Sequence, residues 1–130
     1  MNYELDIVSI QSSDTVSITV DKLQEAFKAK GMTLYGRIDQ KAEASKAGLD
    51  IRPIELLIFG NPKAGIPLIK AEPLVGLDLP LKLLAWESED KKVWVSFNSV
   101  AYLKHRFSLP DELVKPLAGV EILIRSTVQG

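Results

Sequence analysis

The spacing of apolar side chains along the chain divides it into elements. Tyr3, Leu5 and Ile7 alternate with Glu4 and Asp6, which predicts a strand from Tyr3 to Ile10. After the polar stretch Gln11 to Asp14, Val20, Leu23 and Phe27 fall at i, i+3 and i+7. They form one stripe of a helix that Ser17 would cap and that runs to Lys30. Gly31 supplies the stop, because glycine adopts positive φ at little cost. Met32 to Ile38 predicts a second strand; Asp39 then caps a short Ala-rich helix to Ala47, and Gly48 ends it. Ile54 to Phe59 is nearly continuous in apolar residues, so both faces of this strand are expected to be buried. Helices would cover one face and a second subunit the other.

Gly60 to Gly65 is rich in turn formers, and Pro67 would open a short helix to Glu72. Leu81 to Glu87 and Val93 to Asn98 form a hairpin around Ser88 to Lys92, with Val93, Val95 and Phe97 in clean alternation. Trp86 and Trp94 lie on the two arms, placed to pair across them. Ser99 caps a helix whose Val100, Leu103 and Phe107 share a face. The strongest helical period comes last, in Leu113, Leu117, Val120, Ile124 and Val128, with Glu121 and Arg125 as an i, i+4 pair and Pro116 as an expected break or kink. The order predicts an α+β fold. It is a single antiparallel or mixed sheet of about five strands, with helices packed on one face.

Length and composition narrow the class. The chain has 130 residues, 46% hydrophobic and 25% charged, which is one globular domain spanning residues 1–130. Its 16 basic and 17 acidic residues give a net charge of −1, which argues against a dedicated nucleic-acid binder. With no cysteine, thiolate chemistry is excluded, and with a single histidine besides, a structural zinc site is not expected. The N-terminal acids and the lack of a long apolar run point to a cytoplasmic protein with no membrane partner.

Few residues suggest chemistry. His105 stands between Lys104 and Arg106, where a solvated helix end is the simpler reading. Gly60 to Gly65 matches half of a phosphate loop, but Ile66 and Pro67 stand where Lys and Ser/Thr must hold phosphate and metal. A structural turn is the simpler reading there, with a weaker anion site around Asn61 and Lys63 as the alternative. Glu87, Glu89 and Asp90 sit at a hairpin tip beside two lysines, where carboxylates are usually solvated. Glu55 interrupts an apolar strand, so it needs either solvent or a cation, with Arg52 or Lys82 as the expected partner.

Several blocks together carry a resemblance. Leu49-x-Ile51-Arg52-Pro53-x-Glu55-x-Leu57-Ile58-Phe59-Gly60-Asn61-Pro62, then Pro67, then Leu77-Asp78-Leu79-Pro80-Leu81-Lys82, resembles the bacterial family catalogued as domain of unknown function 302. Leu23, Lys30-Gly31 and Ile38-Asp39 agree with it, and the resemblance covers about residues 17–109, leaving 110–130 as a C-terminal helical segment. It implies a compact, commonly homodimeric α+β domain with a TATA-binding-protein-like layout and no settled activity. Many members resemble Asp-His where this chain has Asp39-Gln40, and carry a histidine where it has Phe107, with His105 two residues earlier. A metal, haem or acid–base role built on those histidines is correspondingly weakened, since glutamine does not titrate near neutrality.

The expected function is therefore a homodimeric small-molecule-binding or sensing domain without a cofactor. Its pocket would be built around Asp39, Arg52, Glu55, Asn61, Lys63 and Asp78. The alternatives are an enzyme working with the carboxylates of Asp39, Glu55 and Asp78, or a protein-interaction module without a ligand. Convergence of the three carboxylates on one cavity would favour the enzyme, and an apolar cavity away from them would favour binding.

Overall fold

The computed structural model describes residues 6–130. Its strands are β1 (Ile7–Ser12), β2 (Thr33–Asp39), β3 (Ile54–Gly60), β4 (Leu81–Glu87) and β5 (Val93–Asn98). They form one sheet in the order β1-β5-β4-β3-β2, with every neighbouring pair antiparallel. Five helices pack against it: α1 (Val16–Ala29), α2 (Gln40–Lys46), α3 (Pro62–Ala71), α4 (Val100–Phe107) and α5 (Asp111–Gln129). A 3-10 turn, Pro73–Leu77, follows α3. The expected α+β class, the hairpin and the terminal helices stand. The Tyr3 to Leu5 part of the first predicted strand lies outside the described residues.

The core follows the alternation of the strands. Ile10, Leu57, Phe59, Leu83, Ala85 and Val95 point to the helical side and are at most 2% exposed. Val20, Leu23 and Phe27 of α1 and Ile124 and Val128 of α5 close over them. Phe27 and Phe59 stack with ring centroids 4.2 Å apart, and truncating either ring to alanine should cost about 3–5 kcal/mol. A second cluster, including Leu68, Val75, Leu103, Leu109, Val114 and Leu117, joins α3, the 3-10 turn, α4 and α5.

Strand β3 is covered on one face within the chain. Glu55, Leu57 and Phe59 are buried, but Ile54, Leu56 and Ile58 on the other face are only half-buried. Ile38, Leu84, Trp86 and Trp94 share that face by register, leaving an open, largely apolar sheet surface. Trp86 does pair with Trp94 across the hairpin, and its indole N–H donates to Ser96 Oγ at 2.9 Å.

Local signals explain the element ends, with corrections. Gly31 and Gly48 end α1 and α2 with φ of 73° and 77°. The cap of α1 is Thr15, not Ser17: its hydroxyl accepts the Ile18 N–H at 3.2 Å, and the helix begins at Val16. The Gly60–Gly65 stretch is not a loop. Asn61 caps α3 and Pro62 occupies its first turn, so the helix starts before Pro67 and carries it internally. Likewise α5 runs through Pro116. The carbonyl freed by that proline belongs to Glu112, which is solvent-exposed and so can be hydrated. Glu121 does not serve Arg125; its Oε1 accepts the Val100 N–H at the start of α4 at 2.6 Å.

Candidate functional site

Where β3 ends, the chain enters α3 through Asn61, and a cleft of about 330 Å³ opens between this corner and α5. Its outer wall is one face of α5: Pro116, Gly119, Val120 and Leu123 fall at i, i+3, i+4 and i+7. Gly119 has no side chain to fill the space, and a Cβ built there would meet nothing within 4 Å. Leu81 and Leu117 form the apolar floor, and Met32 and Ala64 close the sides. Among the described residues that line it, only Lys30 and Asn61 carry polar side chains. Asn61 Oδ1 is taken up by the Lys63 N–H at 3.0 Å, which leaves the amide Nδ2 free to donate. A smaller cleft of about 110 Å³ adjoins it, sharing Asn61, Leu81 and Leu117 and extending past Tyr35 and Ile66.

The six residues singled out from sequence fall at three places. Asp39 and Glu55 are cross-strand partners near the start of β3 but serve different groups. Asp39 caps α2 by accepting the Ala42 N–H at 2.9 Å. Arg52 is exposed nearby and makes no ion pair among the described residues. Asn61 and Lys63 lie beyond the other end of β3, and of the six only Asn61 lines the larger cleft. Asp78 is elsewhere, with both carboxylate oxygens accepting Arg106 Nη1 at 3.1 and 2.8 Å. The Asp78 hydrogen bond, with one to the Tyr102 hydroxyl, raises the Arg106 pKa above its ordinary value. The three carboxylates therefore do not converge on one cavity.

Glu55 is buried, but its partner is neither Arg52 nor Lys82. Arg37 Nε donates to Glu55 Oε1 at 2.6 Å, and Arg37 Nη1 donates to Asp21 at 2.6 Å. Arg37 Nη2 reaches the Ser17 carbonyl at 3.2 Å. Arg37 pairs in register with Leu57, which puts it on the helical side beside Glu55; Lys82 pairs with Ile58 on the open side. Burial pulls the guanidinium pKa down, but the bonds to Glu55 and Asp21 outweigh that and leave it raised. This network ties α1 to β2 and β3.

The remaining motifs resolve into surface chemistry. His105 is exposed, while its neighbours Lys104 and Arg106 pair with Asp111 and Asp78. At the hairpin tip the Ser88 hydroxyl donates to Asp90 and lowers its pKa. Among the described residues no three His, Asp or Glu side chains gather as metal ligands would, and no helix is long and apolar enough to cross a membrane. Sequence reasoning missed Lys30, Met32 and the α5 wall. The available signal was the Pro116–Gly119 notch, which leaves a bare spot next to the apolar stripe of an otherwise regular helix.

Fluoride-specific ion channel FluC 1 of Brucella suis is 41% identical over 103 residues, covering 79% of this chain and 41% of that protein. FluC 1 of Brucella abortus and FluC 2 of Brucella melitensis are each 41% identical over the same length, with 38% of each covered. The chain thus spans about two-fifths of the curated relatives it matches. The crystal structure of an uncharacterized conserved protein DUF302 from Bacillus stearothermophilus superposes with a TM-score of 0.80 at 20% identity, covering 96% of this chain and 97% of that one. The model of Domain of unknown function DUF302 matches residues 8–124. With most of its length matched, the chain belongs to the DUF302 family.

Proposed function

We propose that this chain is a cytoplasmic, homodimeric domain that binds a small molecule and senses it. The observation that carries the reading is the cleft at the end of β3. It is concave, mostly apolar and has two polar side chains, which is how small-molecule sites are usually built. Its volume falls near the lower end of the usual range for such sites. The dispersed carboxylates offer no paired acid and base, so binding is favoured over carboxylate catalysis. The second copy would lie on the open sheet face, where Leu56, Ile58, Leu84, Trp86 and Trp94 form a half-buried, apolar surface. The Brucella relatives contain a matching region inside longer proteins named as ion channels, and a ligand-binding domain beside a channel suits sensing better than turnover.

Native mass spectrometry of the intact protein, followed by gentle denaturation, tests both parts. A dimer that releases a discrete small mass is the expected result. A monomer would remove the second copy from the sheet face. A protein that carries no adduct and gives no thermal shift with any member of a fragment set would overturn the binding reading.

A further inference from the structure

The chemistry of the cleft narrows what it can hold. Every polar side-chain group left free in its lining is a donor: the Lys30 ammonium and the Asn61 Nδ2 amide. Among the described residues no aspartate or glutamate lines it, so no carboxylate there would pair with a ligand ammonium. Lys30 makes no ion pair among the described residues. One cation matches one negative charge; a phosphate dianion or a pyrophosphate normally collects several cations or a cradle of amides. The rest of the lining, from Met32 and Leu81 to Val120 and Leu123, offers only apolar contact.

We infer that the cleft takes a compact apolar monocarboxylate, its carboxylate between Lys30 and Asn61 and its hydrocarbon body along the Gly119 face of α5. One carboxylate oxygen would accept from Lys30 and the other from Asn61 Nδ2, while the body covers Leu81, Val120 and Leu123. This rests on the reading of the cleft as a binding site.

The test uses octanoate, 1-octanol and octylammonium, which share one hydrocarbon body and differ in head group. Binding to the full chain is measured by calorimetry at low and high salt. Octanoate should bind at least about tenfold more tightly than octanol, octylammonium should not bind, and the octanoate affinity should fall with salt. Lys30→Gln should reduce octanoate to the affinity of octanol and leave octanol unchanged. Gly119→Leu, whose side chain enters open space in the cleft, should abolish binding of both while the circular dichroism spectrum and melting remain those of a folded protein. Equal binding of all three probes, unaffected by Lys30→Gln, would overturn the carboxylate inference and leave the cleft as an apolar site. Absence of binding by all three, or binding untouched by Gly119→Leu, would overturn the reading of the cleft itself.

Discussion

Arg37→Met isolates the one buried charged side chain among the described residues, Glu55. The Glu55 side chain is 8% exposed and that of Arg37 25%, so the pair is largely removed from water. Taking away the guanidinium leaves a carboxylate beside Leu57 with no cation, and breaking such a pair from one side typically costs about 3–5 kcal/mol. The lower end applies, because Arg37 keeps some solvent contact and its second partner, Asp21, is 59% exposed and adds only about 0.2–1 kcal/mol. A loss of about 3 kcal/mol is a large part of the 5–15 kcal/mol a domain usually holds, and it should lower Tm by roughly 10 °C. Replacing both members, Arg37→Met with Glu55→Leu, removes the charge together with its partner and should return stability to within about 1 kcal/mol of the parent. Urea unfolding of the two singles and the double, read as a double-mutant cycle, gives the coupling. A single-variant loss below about 1 kcal/mol, or a double variant as unstable as the single, would refute the argument by showing that Glu55 finds water without Arg37.

Three further outcomes are expected. Gly119→Ala should stabilise the protein by about 0.5–1 kcal/mol, since alanine favours the helix interior and its methyl group meets nothing within 4 Å; a loss in thermal melting would mean that the face is occluded. Glu121→Ala should cost about 1 kcal/mol by leaving the Val100 N–H at the start of α4 uncapped, and Glu121→Gln should recover part of it by urea midpoint, because the amide keeps an oxygen acceptor. Trp86→Lys, on the open sheet face, should give a folded monomer by native mass spectrometry, since it charges the surface proposed to hold the second copy; a dimer that persists would place the second copy elsewhere.

The elements were legible wherever a period of two or of 3.6 had a clear apolar face. The β4–β5 hairpin, the Gly31 and Gly48 stops and the Asp39 cap all stand at their expected positions. Errors came where two local signals competed. Asn61-Pro62 reads equally as a turn and as a capped helix start, and the helix prevailed because Leu68 is drawn into the second core cluster. Glu55 was recognisable as a charge in need of a partner, but its cation could not be chosen from sequence. Arg37 reaches it only because β2 pairs antiparallel with β3, a pairing over eighteen residues that no local pattern encodes. The cleft was illegible for the same reason: Lys30, Asn61, Leu81 and Gly119 come from four separate elements, and only the packing of α5 against the β3–α3 corner brings them together.

The two layers also differ in how far they can yield. Strand β3 is hydrogen-bonded on both sides, to β2 and β4, and its inward side chains are locked between Phe27, Leu83 and the Arg37–Glu55 pair. The floor of the cleft, at Leu81, belongs to that same ladder. The facing wall is built differently. Within one turn, α5 lacks the backbone bond that Pro116 cannot donate and carries a glycine at 119, and both changes weaken a helix where they occur. Further along, Ile124 and Val128 anchor α5 in the core against the sheet and α1. A molecule entering the cleft therefore meets a stiff side and a soft side. The energy of its contacts can reshape only the soft one, so the segment from Pro116 to Leu123 is where occupancy would become a change of structure. A sensing domain needs such an asymmetry: were both walls as firm as β3, a ligand could bind without altering any surface that a partner reads.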